Sequence, residues 1–272
     1  MEIKTHAKEI VREFWNAQSC GEIYALGDTG LEYYESHRRA RYALEPYIFD
    51  FARFCDAHDK DVLEIGVGMG ADHTEWAKQA PRTLTGIDLT PRAVEHTTKR
   101  LQTYGLKSKV QVADAENLPF PADSFDLVYS WGVLHHSPDT PKAIKEVFRI
   151  LRPGGIARIM IYHRYSMTAY LLWIRYALLT GNPARTLDDV VAQHLESPGT
   201  KVYSVSECTQ LFTQFKTATI TIKLNLGDLL QGAVGQRHGS FALSLAKLMW
   251  PRWLITKIFR NHGLMLLIDA EK

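Results

Sequence analysis

Three features of this 272-residue chain have the residue types and spacing to do chemistry. The first is Val62-Leu63-Glu64-Ile65-Gly66-Val67-Gly68-Met69-Gly70, an apolar run that feeds directly into a Gly-x-Gly-x-Gly turn. Glycine lets a chain turn sharply off a strand end and lets backbone approach a ligand with no Cβ in the way. The helix expected near Asp72 to Gln79 would then offer unpaired N–H groups to a polar ligand. The second feature is Asp88, which ends the next apolar run about 18 residues past Gly70, where a carboxylate can accept both hydroxyls of a ribose. The third is a set of histidines, His135 and His136 in one loop and His163 in another. Histidine is the side chain poised to take a proton near neutral pH.

A glycine-rich turn also occurs at ordinary strand-to-helix junctions and in dinucleotide enzymes, so its details matter. The dinucleotide fingerprint is Gly-x-Gly-x-x-Gly, whereas here Gly70 comes one residue early and Glu64 precedes the first glycine by two. A carboxylate at that place repels a pyrophosphate and suits an ammonium group. The motif therefore favours a nucleoside that carries a cation over a dinucleotide.

These residues need a scaffold, and from Asp61 to Tyr162 short β-rich runs alternate with helical ones, the pattern of β-α-β units in a parallel sheet. The expected strands are Val62–Ile65, Leu84–Asp88, Val110–Asp114, Phe125–Ser130, Ile156–Tyr162, Thr217–Leu224 and Leu264–Ala270. Pro91 to Tyr104 reads as a helix that starts on proline and stops at Gly105. Asp139-Thr140-Pro141 opens another, and Ser204-x-x-Glu207 is a capping box for a helix ending near Phe215. Residues 1–57 carry aromatic and apolar side chains at helical spacing and read as a helical arm or lid. The remainder, 58–272, reads as one α/β domain with helical insertions at about 164–203 and 227–262.

The motifs resemble those of class I S-adenosylmethionine-dependent methyltransferases, in the small-molecule type 11-like branch, over about residues 60–162. Glu64-x-Gly66-x-Gly68-x-Gly70 looks like that family's first motif, and Asp88 matches the acid that holds the ribose. Asp114-Ala115-Glu116-Asn117-Leu118-Pro119-Phe120 is similar to the segment where an Asp meets the adenine amino group and the next backbone N–H meets a ring nitrogen. Phe125 to Ser130, followed by Trp131-Gly132-Val133-Leu134-His135-His136, resembles strand four and the active-site loop. Phe148 to Gly155 resembles the turn before strand five. The resemblance implies a Rossmann-like, doubly wound, mostly parallel seven-stranded sheet, with the helical arm at its N-terminus and the two insertions after strands five and six. It implies S-adenosyl-L-methionine as cofactor, held by Glu64, Gly66, Gly68, Gly70, Asp88, Leu89, Asp114, Ala115, Ser130 and Trp131.

It also places the Leu-His-His segment beside cofactor and acceptor, so His136 is expected to orient substrate or act as base, with His135 packing locally. His163, at a strand C-terminus, is the second catalytic candidate. The alternative for His135 and His136 is a hydrogen bond within their loop, and for His163 a packing role. An arm residue among Tyr24, Tyr33, Tyr34, His37, Arg38 and Arg41 could hold the methionine carboxylate, or these could be core aromatics and solvated charges. No carboxylate cluster lies at strand four or five, so no catalytic metal is expected.

Composition narrows the partners. Lys and Arg total 32 against 30 Asp and Glu, and this balance, without a recognition motif, argues against nucleic acid. Cys20, Cys55 and Cys208 are odd in number and far apart, which fits a reducing cytoplasm. The first 17 residues mix charges with apolar side chains, unlike a signal peptide. No Asp or Glu occurs between Glu146 and Asp188 or between Asp228 and Asp269. The second of these stretches holds Lys247, Trp250, Arg252, Trp253, Lys257, Phe259 and Arg260. It suits a pocket for an apolar or acidic small molecule, a lid with a wet basic face or, less well, contact with an anionic membrane surface. Neither the acceptor nor the oligomeric state is written in these residues.

Overall fold

The computed structural model describes residues 2–27, 29–231 and 250–272. Residues 232–249 of the second insertion, Lys247 among them, lie outside the described residues.

The arm is helical as expected: α1 (Glu2–Ala17), α2 (Gly30–Leu44) and α3 (Ile48–Ala52). The alternating region follows with β1 (Asp61–Ile65), α4 (Ala71–Ala77), β2 (Thr83–Asp88), α5 (Pro91–Thr103), β3 (Lys109–Val112), β4 (Phe125–Trp131), α6 (Thr140–Ile150) and β5 (Leu151–Tyr162). The first insertion holds α7 (Met167–Trp173), a π-helical turn over Ile174–Leu178, and α8 (Leu187–His194). Then come α9 (Val205–Leu211), β6 (Thr217–Lys223), a short helix Arg252–Lys257, and β7 (Met265–Glu271).

The seven strands form one sheet in the order β3-β2-β1-β4-β5-β7-β6, with β7 antiparallel to both neighbours. All five residues of β1 are buried, as expected for a central strand covered on both faces. β6, at the edge, is rich in threonine and mostly exposed. The chain reverses direction of winding between β1 and β4, so a crevice opens at the carboxyl ends of these strands, the usual ligand side.

Strand alternation decides which side chains meet the arm. Leu63, Ile65, Val128, Ile159 and Ile161 face α6 and α9. Val62, Tyr129, Trp131, Met160, Tyr162 and Met265 face Ile48, Ala52 and Phe54 of the arm and Ala169 and Val191 of the first insertion.

The helix starts expected at Asp139 and Ser204 are capped as read, and Thr90 caps the helix expected to start on Pro91. Thr90 Oγ1 accepts from the Ala93 N–H, Asp139 caps α6 through the Lys142 N–H, and Ser204 and Glu207 close a capping box. Two boundaries differ. β5 begins at Leu151, because Pro153-Gly154-Gly155 is carried inside the strand, where β4 shifts register between Phe125 and Leu127. Gly154 and Gly155 pair with the backbone of Lys272, which holds that irregular stretch to the chain's last residue. α9 stops at Leu211, after which Phe212 and Phe215 turn into the core.

A fully buried arginine fastens the arm. Arg100 on α5 donates to the carbonyls of Tyr34 on α2 (3.0 Å) and Met69 in the glycine turn (3.2 Å). No helix among the described residues is long and apolar enough to cross a membrane.

Candidate active site

The glycine turn is closed by its own backbone: Gly66 and Val67 N–H donate to Ile87 O, and Gly70 N–H to Val67 O. Each glycine has a distinct reason. Gly66, at φ 85°, would place a Cβ 2.1 Å from Val133 Cγ2, so the loop after β4 packs directly on this backbone. Gly70 starts α4 and abuts Thr97 of α5. Gly68, at φ 52°, has nothing within 4 Å of where a Cβ would stand and borders a large cavity, so its backbone is open to a ligand.

Asp88 reaches this turn from the tip of β2. Its Oδ2 accepts from Gly68 N–H at 3.2 Å, and its Oδ1 accepts from the N–H and hydroxyl of Thr90, each at 2.9 Å. Burial pushes its pKa up, against these donors. The carboxylate thus braces the loop and keeps lone pairs on the cavity, which Leu89 also lines. Asp114 and Ala115 form the next part of the wall. Lys8 of α1 reaches over it, with Nζ 2.6 Å from Asp114 and 2.7 Å from Glu116.

Glu64 lines the cavity, yet one of its oxygens lies 2.9 Å from His73 Nδ1, and the far ring nitrogen meets the Ser108 hydroxyl at 2.7 Å. Burial, reinforced by Asp72, drives the Glu64 pKa well up, while burial drops His73 to about 3, leaving its imidazole neutral. Asp72 is a second buried acid. Burial opposes its ionisation, but Arg41, bidentate at 2.9 and 2.6 Å, prevails and holds its pKa below the usual range, with Tyr42 and Tyr129 hydroxyls also donating. Ser130 is fully buried, donates to Ile65 O at 3.1 Å and does not reach the cavity. Its neighbour Trp131 does, with its indole N–H 3.2 Å from Glu45.

The cavity measures about 1230 Å³ and continues from the glycine turn under the arm to the two insertions. His136 stands on its wall. Its Nδ1 lies 2.9 Å from Ser197 Oγ and 3.1 Å from Thr200 Oγ1, while its Nε2 is 3.2 Å from Glu196 Oε2 without hydrogen-bond alignment. Tyr162 donates to that same carboxylate oxygen at 3.0 Å. Because the Thr200 hydroxyl donates to Ser197 O, it can only accept from His136, which favours the proton on Nδ1 and a lone pair on Nε2. Trp15 of the arm packs edge-on against the ring.

His135 is fully buried between His136 and Tyr162, held neutral by burial, and neither ring nitrogen has a hydrogen-bond partner. One ligand atom each from His135, His136 and Glu196 falls within 4.8 Å of the others.

Residues 63–159 match the family model described as a methyltransferase domain. Over 97 residues the chain is 39% identical to the phthiotriol/phenolphthiotriol dimycocerosates methyltransferase of Mycobacterium leprae, a match covering 35% of each protein. Over 127 residues it is 36% identical to the fatty-acid O-methyltransferase of Mycolicibacterium smegmatis, covering 46% of this chain and 45% of that one. Over residues 63–159 the chain is thus similar to S-adenosylmethionine-dependent methyltransferases. The matches span about a third of the length of the first curated relatives.

Two solved structures share the fold. A chain of the complex between the Haloferax volcanii Trm112 methyltransferase activator and a methyltransferase superposes with a TM-score of 0.56 at 18% identity, over 87% of this chain and 95% of that one. The 4+2 cyclase SpnF superposes with a TM-score of 0.54 at 14% identity, over 99% of this chain and 94% of that one. The fold alone therefore does not choose the reaction.

The family's cofactor is S-adenosylmethionine, and the residues present fit it: an open backbone cradle at Gly68, a carboxylate at Asp88 and another at Asp114. Of the residues expected to hold it, Glu64, Gly66, Gly68, Asp88, Leu89, Asp114, Ala115 and Trp131 line the cavity of this methyltransferase domain. Gly70 and Ser130 stand behind the wall.

The two catalytic candidates are separated. His136 lines the cavity, whereas His163 does not: its Nδ1 is 3.1 Å from Gly263 O, and its backbone bridges Tyr203. Alternation along β5 gives the cavity face to Tyr162 and turns the next residue away. Among the arm candidates Tyr24, His37 and Arg41 reach the wall. Arg38 pairs with Glu75, and Tyr33 and Tyr34 are buried against Met69. The described residues of the second insertion's basic stretch do not line the cavity. Arg252 donates to Leu229 and Leu230 carbonyls, and Trp253 is exposed.

Sequence reading missed Lys8, Tyr162, Glu196, Ser197 and Thr200. Tyr162 was available from alternation with Met160 on β5, both on the cavity wall. Nothing in the sequence ties Glu196 to His136.

Proposed function

We propose that this protein transfers a methyl group from S-adenosylmethionine to an oxygen, hydroxyl or carboxylate, of an apolar or acidic small molecule. The observation that carries this reading is His136, a residue of the wall of a cavity that begins at the glycine turn, its Nε2 buried beside Glu196 without a hydrogen-bond partner. A cavity of about 1230 Å³ exceeds the usual single-ligand range of about 300–1,000 Å³ and so suits a cofactor together with an acceptor. The M. smegmatis relative's name, a fatty-acid O-methyltransferase, supports an apolar acceptor with an oxygen nucleophile.

When bound, S-adenosylmethionine supplies an electrophilic methyl group on sulfur for in-line displacement. The backbone at Gly68, with Asp88 and Asp114, fixes where that methyl group sits. His136 takes the proton of an acceptor hydroxyl on Nε2 as the new oxygen–carbon bond forms. Ser197 and Thr200 hold its Nδ1–H, and the Glu196 carboxylate stands 3.2 Å from its Nε2. A carboxylate acceptor needs no base, and for it His136 only orients. The buried face of Trp15, Trp131 and Tyr162 excludes water from the transfer. The chain is read as cytoplasmic, in keeping with three free cysteines.

Methyl-labelled S-adenosylmethionine offered with a panel of hydroxylated, carboxylated and amine-bearing apolar molecules tests this, with products read by mass spectrometry. Label on an oxygen is expected. Label confined to amines moves the protein to N-methylation. Normal S-adenosylhomocysteine binding with no label on any compound leaves a cofactor-binding scaffold of the same fold.

A further inference from the structure

The outer wall of the cavity is apolar, built by Leu171, Leu172, Ile174 and Leu179 of the first insertion and Leu226 and Leu230 beyond β6. Among the described residues one cation stands in it. Arg175 lines the cavity half-buried, and its one recorded contact is over the Tyr176 ring, 5.1 Å from the centroid. Other arginines nearby are engaged. Arg41, also on the cavity wall, is bidentate to Asp72. Arg164 pairs with Asp188 and Glu207, and Arg185 donates to Tyr176 O and Gln193.

The sequence explains why Arg175 lacks a carboxylate. Neither the stretch between Glu146 and Asp188 nor that between Asp228 and Asp269 contains an acid; the first covers α7 and its π-helical turn, and the acids of the first insertion, Asp188, Asp189 and Glu196, come only after it. Local geometry adds a second sign. Arg175 sits where α7 widens into a π-helical turn, with Leu179 N–H bonding to Ile174 O, and such turns recur at functional sites. A cation held against leucines without a counter-ion is costly in itself, and an anion entering the cavity relieves it. The guanidinium fork matches a carboxylate or phosphate through two parallel hydrogen bonds.

We propose that Arg175 is the binding residue for an anionic group, carboxylate or phosphate, on an amphipathic acceptor whose chain lies along the leucine wall. The inference rests on the methyltransferase reading for the identity of the other ligand. It makes the acceptor a lipid-like acid with its reacting atom at His136 and its charge at Arg175.

Calorimetry can test this without turnover, using protein preloaded with S-adenosylhomocysteine and three probes of equal chain length: dodecanoate, dodecyl phosphate and dodecanol. Wild-type protein is expected to bind at least one of the two anions about tenfold or more tightly than dodecanol. Which anion leads identifies carboxylate or phosphate as the group. Arg175→Met should erase that preference, Arg175→Lys should keep part of it, and both should retain wild-type thermal stability and S-adenosylhomocysteine affinity. Equal binding of all three probes by wild type, or a preference that survives in Arg175→Met, overturns the proposal. Failure of S-adenosylhomocysteine to bind wild type overturns the methyltransferase reading instead, whatever the probes do.

Discussion

The two ends of the cavity are built in contrasting ways. The cofactor end comes from a short, contiguous set of strand tips: the glycine turn after β1, Asp88 after β2 and Asp114 after β3, joined mainly through backbone. The acceptor end is assembled from the arm, the loop after β4, the first insertion and the turn near Leu226, segments far apart in the chain and joined through side chains. Asp228 shows the second style. Fully buried, it accepts from Thr168, Asn225 and Leu264 and so ties α7, the turn after β6 and the start of β7 together. Backbone-built sites tolerate side-chain drift, whereas side-chain-built sites can change ligand by single substitutions.

Gly66→Ala breaks the first end most severely. The new Cβ would overlap Val133 at 2.1 Å in a left-handed backbone, so a loss of about 2–5 kcal/mol is expected. Calorimetry should show no S-adenosylhomocysteine binding, and thermal melting should show the destabilisation. Wild-type binding by this variant would mean that the turn is not the rigid floor described.

His136→Ala attacks the acceptor end alone. With a hydroxyl acceptor, turnover should fall about 10²–10⁴-fold while S-adenosylhomocysteine affinity stays near wild type. Single-turnover rates and calorimetry separate the two. An unchanged rate removes the general base from the mechanism.

Glu45 sharpens the comparison through pH. Burial, only partly offset by Arg41, raises its pKa from 4.5 to about 7. Between these values the folded protein holds a proton that the unfolded chain has released. Stability therefore falls as pH rises from about 4.5 to about 7, by about 1–3 kcal/mol, and is flat with respect to this group beyond. Glu45→Gln should remove that slope in denaturant titrations across the window. A slope retained in the variant assigns it to another group.

The smallest effect is expected from chelation: EDTA should leave turnover unchanged. If activity disappears and a divalent ion restores it, the His135, His136 and Glu196 cluster holds a metal and the base assignment moves to a metal-bound oxygen.

That strands alternate with helices in a mostly parallel sheet was legible because alternation and the glycine turn are local signals, repeated within a few residues, whereas the strand order came from the structure. The helix starts at Pro91, Asp139 and Ser204 were legible for the same reason. The inner irregularity of β5 was not. A Pro-Gly-Gly sequence reads as a break, and only pairing with Phe125 and Lys272 holds it as strand. His163 read as a site residue from its place at a strand end, but its contacts with Gly263 and Tyr203 come from segments no local pattern connects to it.

Residues 62–88 by themselves determined a glycine turn and an acid facing one crevice, the place proposed for the cofactor, since the turn, the acid and their spacing lie within one β-α-β unit whose geometry is nearly fixed. Only the tertiary structure decided that Glu196 and Tyr162 stand beside His136, that Lys8 reaches Asp114, and that Arg175 faces the cavity without a counter-ion. The physical reason is range. Backbone geometry is set by neighbours in sequence, while side-chain meetings across an insertion depend on how whole helices pack.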